Sequence, residues 1–173
     1  MEFRKAAAGD LDAIAAIYDR IHTREEAGGT CVGWVRGIYP TRATAEAALA
    51  AGDLFVLEDG GTVAAAARIN QEQVPEYRDA CWQADAPDSE VMVLHTLTVD
   101  PARGGGGYGT AFVAFYEDWA RSHGGPHLRM DTNVKNARAR RLYAHLGYRE
   151  AGVIPCVFNG ITGVQLVCLE KNL

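Results

Sequence analysis

"LTVDPARGGGGYGT", residues 97–110, sets four glycines in a row between an apolar stretch and a run with helical spacing. Glycine serves where backbone must bend sharply or approach a ligand closely. A flexible linker, a tight turn and a cradle for an anion all use such a run. Its position speaks against the linker. The residues before it, "EVMVLHTLTV", are rich in β-branched side chains and read as a buried strand. Those after it, "TAFVAFYEDWARSHGG", read as a helix closed by Gly124. A helix N-terminus carries unpaired N–H groups and the positive end of the helix dipole. Glycines let successive amides converge on a phosphate with no side chains in the way.

Working outward, "HLRMDT" predicts a short strand and "NARARRLYAHLG" a helix stopped by Gly147. "YREAGVIPCVF" and "GVQLVCLEK" flank Asn159-Gly160 and predict an antiparallel pair. Toward the N-terminus, "LFVLEDGGTVAAAARIN" is a hairpin about Asp59-Gly60-Gly61. Residues 2–6 predict a weak strand. Asp10 caps a helix carrying Leu11, Ile14, Ile17, Tyr18 and Ile21, and a second helix starts at Thr41 or Thr44 and ends at Gly52. Residues 71–89 are polar, hold Pro75 and Pro87, and predict a surface loop with a short helix near Glu76 to Trp82. The order β-α-α-β-β-β-α-β-α-β-β places hairpins around a central β-α-β unit. It predicts an α/β fold: a mixed, mostly antiparallel seven-stranded sheet with helices on both faces.

The 173 residues predict a single domain, 1–173, large enough for a real core. A net charge of −5 argues against a nucleic-acid-binding face, although Arg138, Arg140 and Arg141 form a local basic patch. No apolar run approaches the roughly 20 residues of a membrane span, and the N-terminal stretch has no signal-peptide pattern. Cys31, Cys81, Cys156 and Cys168 are scattered with no C-x-x-C pair, as expected of reduced thiols in a cytoplasmic protein. His22, His123, His127 and His145 show no metal-ligand spacing, so no metal is expected.

Among phosphate motifs, a Walker A loop needs Lys before Ser/Thr, and here Gly109 directly precedes Thr110. The dinucleotide pattern G-x-G-x-x-G is met by Gly104, Gly106 and Gly109, with Asp131 about twenty residues on. That reading implies a nicotinamide or flavin oxidoreductase. Two features weigh against it: the first glycine is separated from Val99 by several residues, and too little chain follows Asp131 for further β-α units.

"LTVDPARGGGGYG" resembles the acyl-CoA pyrophosphate loop of the GNAT superfamily of N-acyltransferases: a strand, V-x-P, a basic or amide residue, then G-x-G-x-G/A opening a helix. Gly105, Gly107 and Gly109 fall on the expected glycines. Gly104 and Gly106 stand where relatives often carry Arg, Gln or Lys, and Arg103 sits one place early. "NVKNARARRLYAHLGY" resembles the family's second motif through Asn136, Ala139, Leu142, Tyr143, Gly147 and Tyr148. Asn136 and Tyr143, almost two helical turns apart, share a face, and Ala139, Leu142 and Leu146 form the adjoining apolar stripe.

The resemblance implies transfer of an acetyl group from acetyl-CoA to a small-molecule or peptide amine, without a metal. A non-catalytic acyl-CoA sensor of the same fold is the alternative. Homodimers are common among such proteins. The resemblance further implies two splayed parallel strands with CoA between them, held by the backbone of Leu97, Thr98 and Val99, the loop Gly104, Gly105, Gly106, Gly107, Tyr108, Gly109 and Thr110, and Asn136, Ala139 and Tyr143. Tyr143 matches the proton donor to the departing sulfur. His95, on the cofactor strand, reads equally as a base or relay and as a hydrogen-bonded strand histidine. Asp131 is a second candidate base, or a turn residue, and Trp34 and Tyr39 are candidates for the acceptor pocket or for the core. Glu25, Glu26 and Glu72 read as an acidic acceptor mouth or a solvated surface, and the arginines of the Asn136 helix as 3′-phosphate contacts or a solvated face.

Overall fold

The computed structural model describes residues 1–173. Its strands and α-helices follow the order expected from the sequence: β1 (Glu2–Lys5), α1 (Leu11–Glu26), α2 (Arg42–Ala50), β2 (Leu54–Asp59), β3 (Thr62–Asn70), β4 (Val91–Val99), α3 (Tyr108–Ser122), β5 (His127–Asn133), α4 (Ala137–His145), β6 (Arg149–Phe158) and β7 (Ile161–Asn172). The strands form one open sheet in the order β1-β2-β3-β4-β5-β7-β6. Only β4 and β5 run parallel; every other pair is antiparallel. Both hairpins turn as their glycines require: Gly60 and Gly61, and Asn159 and Gly160, all have positive φ.

Alternation along the strands divides the core. Phe55, Leu57, Met92, Leu94 and Met130 face α3 and α4, where Phe112, Val113, Tyr116 and Tyr143 meet them. Leu54, Val56 and Ala66 face the opposite side, against Ile14 and Ile17 of α1 and Ala45 and Ala48 of α2. The rest of that second face, including Val91, Val93, Leu166 and Cys168, is covered by Tyr77.

Residues 71–89 are therefore not merely a surface loop. One 3-10 turn, Pro75–Asp79, carries the buried Tyr77. Trp82 Nε1 donates to the Tyr77 carbonyl at 2.7 Å, and Arg129 lies 4.2 Å from the Trp82 ring and donates to the Ala84 carbonyl. The Gln83 amide is bound by Glu170 on β7. An arginine and a glutamate inside strands are buried here because the cover satisfies them. Asp10 also differs from expectation. Its carboxylate accepts from the Ala7 amide and from Arg4 rather than capping α1.

Two irregularities shape the centre of the sheet. The β4–β5 pairing runs from Val91↔His127 to Leu94↔Met130 and then stops, although both strands continue. Beyond that point β4 stays on β3, through Ala66↔Thr98 and Ala65↔Val99, and β5 stays on β7, through Thr132↔Val167 and Asn133↔Leu166. The parallel strands thus splay. At the same place β4 bulges: Thr96 and Leu97 oppose Ala67 alone, and Thr96 has φ 53°. A β-branched residue in the left-handed region costs on the order of 1–3 kcal/mol and needs support. Tyr39 provides it, its hydroxyl hydrogen-bonded to Thr96 Oγ1.

Candidate active site

The splayed strands open into a cavity of about 590 Å³. One wall is the glycine run, with a different demand at each position. Gly105 and Gly107 have φ of 91° and 72°, which side chains rarely adopt. A Cβ on Gly106 would lie 2.3 Å from Cε2 of Tyr108, and one on Gly109 would lie 3.3 Å from Leu142 Cδ2, where α3 and α4 meet. Only Gly104 combines ordinary dihedrals with room for a Cβ, whose nearest neighbour would be the Pro101 carbonyl oxygen at 3.7 Å. The loop is held from outside. The Tyr108 hydroxyl donates to Asp59 Oδ2 at 2.7 Å, Arg103 donates to the Asp59 carbonyl at 3.2 Å, and Arg20 binds both oxygens of Asp100.

This anchoring leaves the amides of Gly104 to Thr110, seven in succession, without an acceptor in the protein. Gly107 caps α3 with no side-chain cap, so the helix N-terminus adds its dipole. Residues Leu97, Thr98 and Val99 line the same cavity, and their β5-side edge lacks a strand partner. Lys135 and Arg138 also line it, whereas Arg140 is committed to Glu150 and the Val134 carbonyl. Asn136 lines the cavity and caps α4, its side-chain oxygen accepting from the Ala139 amide at 3.1 Å. Tyr143 faces the cavity from α4, its phenol pushed up by burial and by nearby Asp131.

A second chamber of about 450 Å³ lies alongside, bounded by α2, β3 and the 71–89 cover. Tyr39, Thr96, Asp131, Phe158 and Asn159 belong to both chambers and mark their junction. Asp131 is half-buried on β5. Burial raises its carboxyl to about 6, and Glu76 pushes the same way; the 2.7 Å hydrogen bond from Tyr77 opposes both. Burial likewise raises Tyr39, to about 12. His95 does not face the first cavity; it lines the second chamber, with Nε2 3.0 Å from Asn70 Oδ1. Burial and the neighbouring Arg68 lower it to about 4.

A sequence profile of the Acetyltransferase (GNAT) family matches residues 14–148. The chain belongs to this GNAT acetyltransferase family. Among solved structures, a GNAT-family acetyltransferase of Streptococcus agalactiae superposes with a TM-score of 0.84 at 20% identity, over 99% of this chain and 95% of that one. A ribosomal-protein-alanine N-acetyltransferase of Brucella melitensis gives 0.73 at 19% identity, with both chains fully covered. The protein yncA of Salmonella typhimurium, solved with its cofactor acetyl-CoA, gives 0.69 at 23% identity, over 100% and 94% of the two chains. These likenesses show the shared fold. A search of curated proteins by sequence found no match.

GNAT proteins use acetyl-CoA, and the residues here fit it: a run of unpaired amides for a pyrophosphate, basic side chains beside it, and an open strand edge. The dinucleotide-oxidoreductase reading does not survive, because the sheet has one parallel pair and no further β-α units. Leu97 to Val99, Gly104 to Thr110, Asn136, Ala139 and Tyr143 all line the first cavity, as do the acceptor candidates Asp131, Trp34 and Tyr39, the last two meeting edge to face at 6.1 Å. Two expected acidic-mouth residues are engaged elsewhere. Glu25 accepts from the amides of Val32 and Gly33, and Glu26 pairs with Arg36. Glu72 pairs with Arg68 at the rim of the second chamber. Sequence reasoning missed Thr96, Phe158, Asn159 and Tyr77. Asn159 carried a signal, its Asn-Gly turn, but as a hairpin mark rather than a site.

Proposed function

We propose that this GNAT protein transfers the acetyl group of acetyl-CoA to a primary amine by direct attack. The observation that carries the reading is the run of unpaired amides from Gly104 to Thr110, facing a cavity that also contains Tyr143 and Asp131. Acetyl-CoA would supply an activated acyl group as a thioester. The amides of the loop and the α3 N-terminus would hold its pyrophosphate, with Lys135 and Arg138 near its phosphates. The open edge of β4 at Leu97–Val99 would pair with the pantetheine amides, and a backbone amide near the Thr96 bulge would polarise the acyl carbonyl.

The second chamber supports an acceptor route that meets the cofactor groove at the junction. There Asp131 takes the proton that the ammonium must lose. Its carboxyl, at about 6, is ionised at neutral pH yet more basic than an ordinary aspartate. His95, at about 4, is a weaker base and is already bound to Asn70. We therefore assign His95 to shaping the acceptor wall rather than to proton transfer. Tyr143 stays protonated through the neutral range and donates to the departing sulfur.

A CoA-release assay over a panel of small amines, amino acids and peptide N-termini tests this function. Turnover of at least one amine supports it. Acetyl-CoA binding without turnover across the panel would favour an acyl-CoA sensor.

A further inference from the structure

Tyr77 sits in the cover segment, 54 residues from Asp131 in sequence, and its hydroxyl donates to Asp131 Oδ2 at 2.7 Å. We infer that Tyr77 is a positioning residue for the reaction: it holds Oδ2 and leaves Oδ1 free to meet the acceptor amine. The inference rests on the assignment of Asp131 as proton acceptor.

The geometry of the segment supports the role. Tyr77 is 2% exposed, so its phenol has no rotational freedom to spare. Its ring meets Trp82 at 5.2 Å, and the Trp82 indole donates back to the Tyr77 carbonyl. Arg129 then closes over Trp82 from the sheet. Arg129 and Asp131 are two residues apart on β5, so both project from one face. One strand thus supplies the anchor of the clamp and the group that the clamp orients. The residues just before Tyr77, from Gln73 to Pro75, wall the acceptor chamber. A single short segment therefore shapes the acceptor space and fixes the carboxylate at its end.

A hydrogen bond to the ionised form favours that form. Tyr77 thereby counters the burial that would otherwise keep Asp131 protonated near neutrality. The other titratable groups that act on Asp131 or feel it are Glu76, Tyr39, Tyr143, Cys156 and Cys168. Of these, Glu76 acts on Asp131 in the same direction as burial.

The test is a titration of the full chain labelled with 13C at the aspartate side-chain carboxyl, followed by NMR, with Asp131→Asn identifying the resonance. Tyr77→Phe keeps the ring and removes the donor. Its Asp131 should titrate about one pH unit higher than in the wild type. Trp82→Phe, which loosens the clamp, should move it the same way by less, and serves if Tyr77→Phe does not fold. An Asp131 resonance unmoved in the folded variants overturns the positioning role. A wild-type Asp131 titrating near 4, with the upward shift in Tyr77→Phe intact, would sustain the Tyr77 contact and contradict Asp131 as the base.

Discussion

Gly106 lies against the ring of Tyr108, so closely that a Cβ would come within 2.3 Å of Cε2. Tyr108 is in turn tied to Asp59 across the β2–β3 turn. Any side chain at Gly106 must displace that ring and break the tie, at a cost of about 1 kcal/mol for the hydrogen bond alone. The family resemblance implies that charge at Gly104 or at Gly106 would tighten cofactor binding, as relatives often carry it at these positions. The structure separates them. Gly104→Arg should tighten acetyl-CoA binding by about two- to fivefold, the size of an exposed ion pair. Gly106→Lys should weaken it. Calorimetric Kd values for both variants decide this; tighter binding in Gly106→Lys would contradict the packing argument.

Tyr143→Phe removes one hydroxyl and leaves the ring in the core beside Tyr148. Turnover should fall by about 100-fold, the lower bound typical of a lost general acid, while the acetyl-CoA Kd stays within about twofold. Steady-state rates and a binding titration on one preparation make the comparison. An unchanged rate removes Tyr143 from the acid role.

As the proposed proton acceptor, Asp131 should link activity to stability in opposite directions. Its folded value is raised to about 6, above the ordinary aspartate value, so between those limits the folded protein binds more protons than the unfolded chain. This group's stabilising contribution is fully present below about pH 4 and is lost as pH rises through about 6. Asp131→Asn should therefore raise stability at pH 7.5 by up to about 3 kcal/mol, read as a higher melting temperature, while abolishing turnover. The stability gain should vanish near pH 4. A variant less stable than the wild type at pH 7.5 would show that the carboxylate is not penalised by its surroundings.

His95 provides the contrasting case. Held at about 4, it is neutral throughout the working range. With Asp131 as the proposed base, His95→Gln should leave the acid limb of the kcat/KM profile near pH 6. A limb flattened by this change would return the base assignment to His95.

The order of elements was legible because each strand and helix carries its own period and its own glycine stop. The cradle was legible because its glycines lie between a strand and a helix. Three features depend on contacts that no local pattern encodes. Thr96 gives no sign of its left-handed conformation, since a β-branched residue normally marks regular strand; Tyr39, far away in sequence, supports it. Tyr77 lies in a polar, proline-containing segment with no period, and its burial depends on Trp82 within that segment and on Arg129 and Glu170, which hold the segment from the sheet. The displacement of His95 from the cofactor groove follows from the bulge, which a sequence count cannot see.

Whether the amides from Gly104 to Thr110 hold the pyrophosphate of acetyl-CoA is decided by calorimetric titration of the protein with acetyl-CoA and, separately, with NAD. Acetyl-CoA should bind saturably at one site, at least tenfold more weakly in Gly107→Val, where φ is 72°, and NAD should not bind. Binding of NAD without binding of acetyl-CoA would contradict that role for the amides.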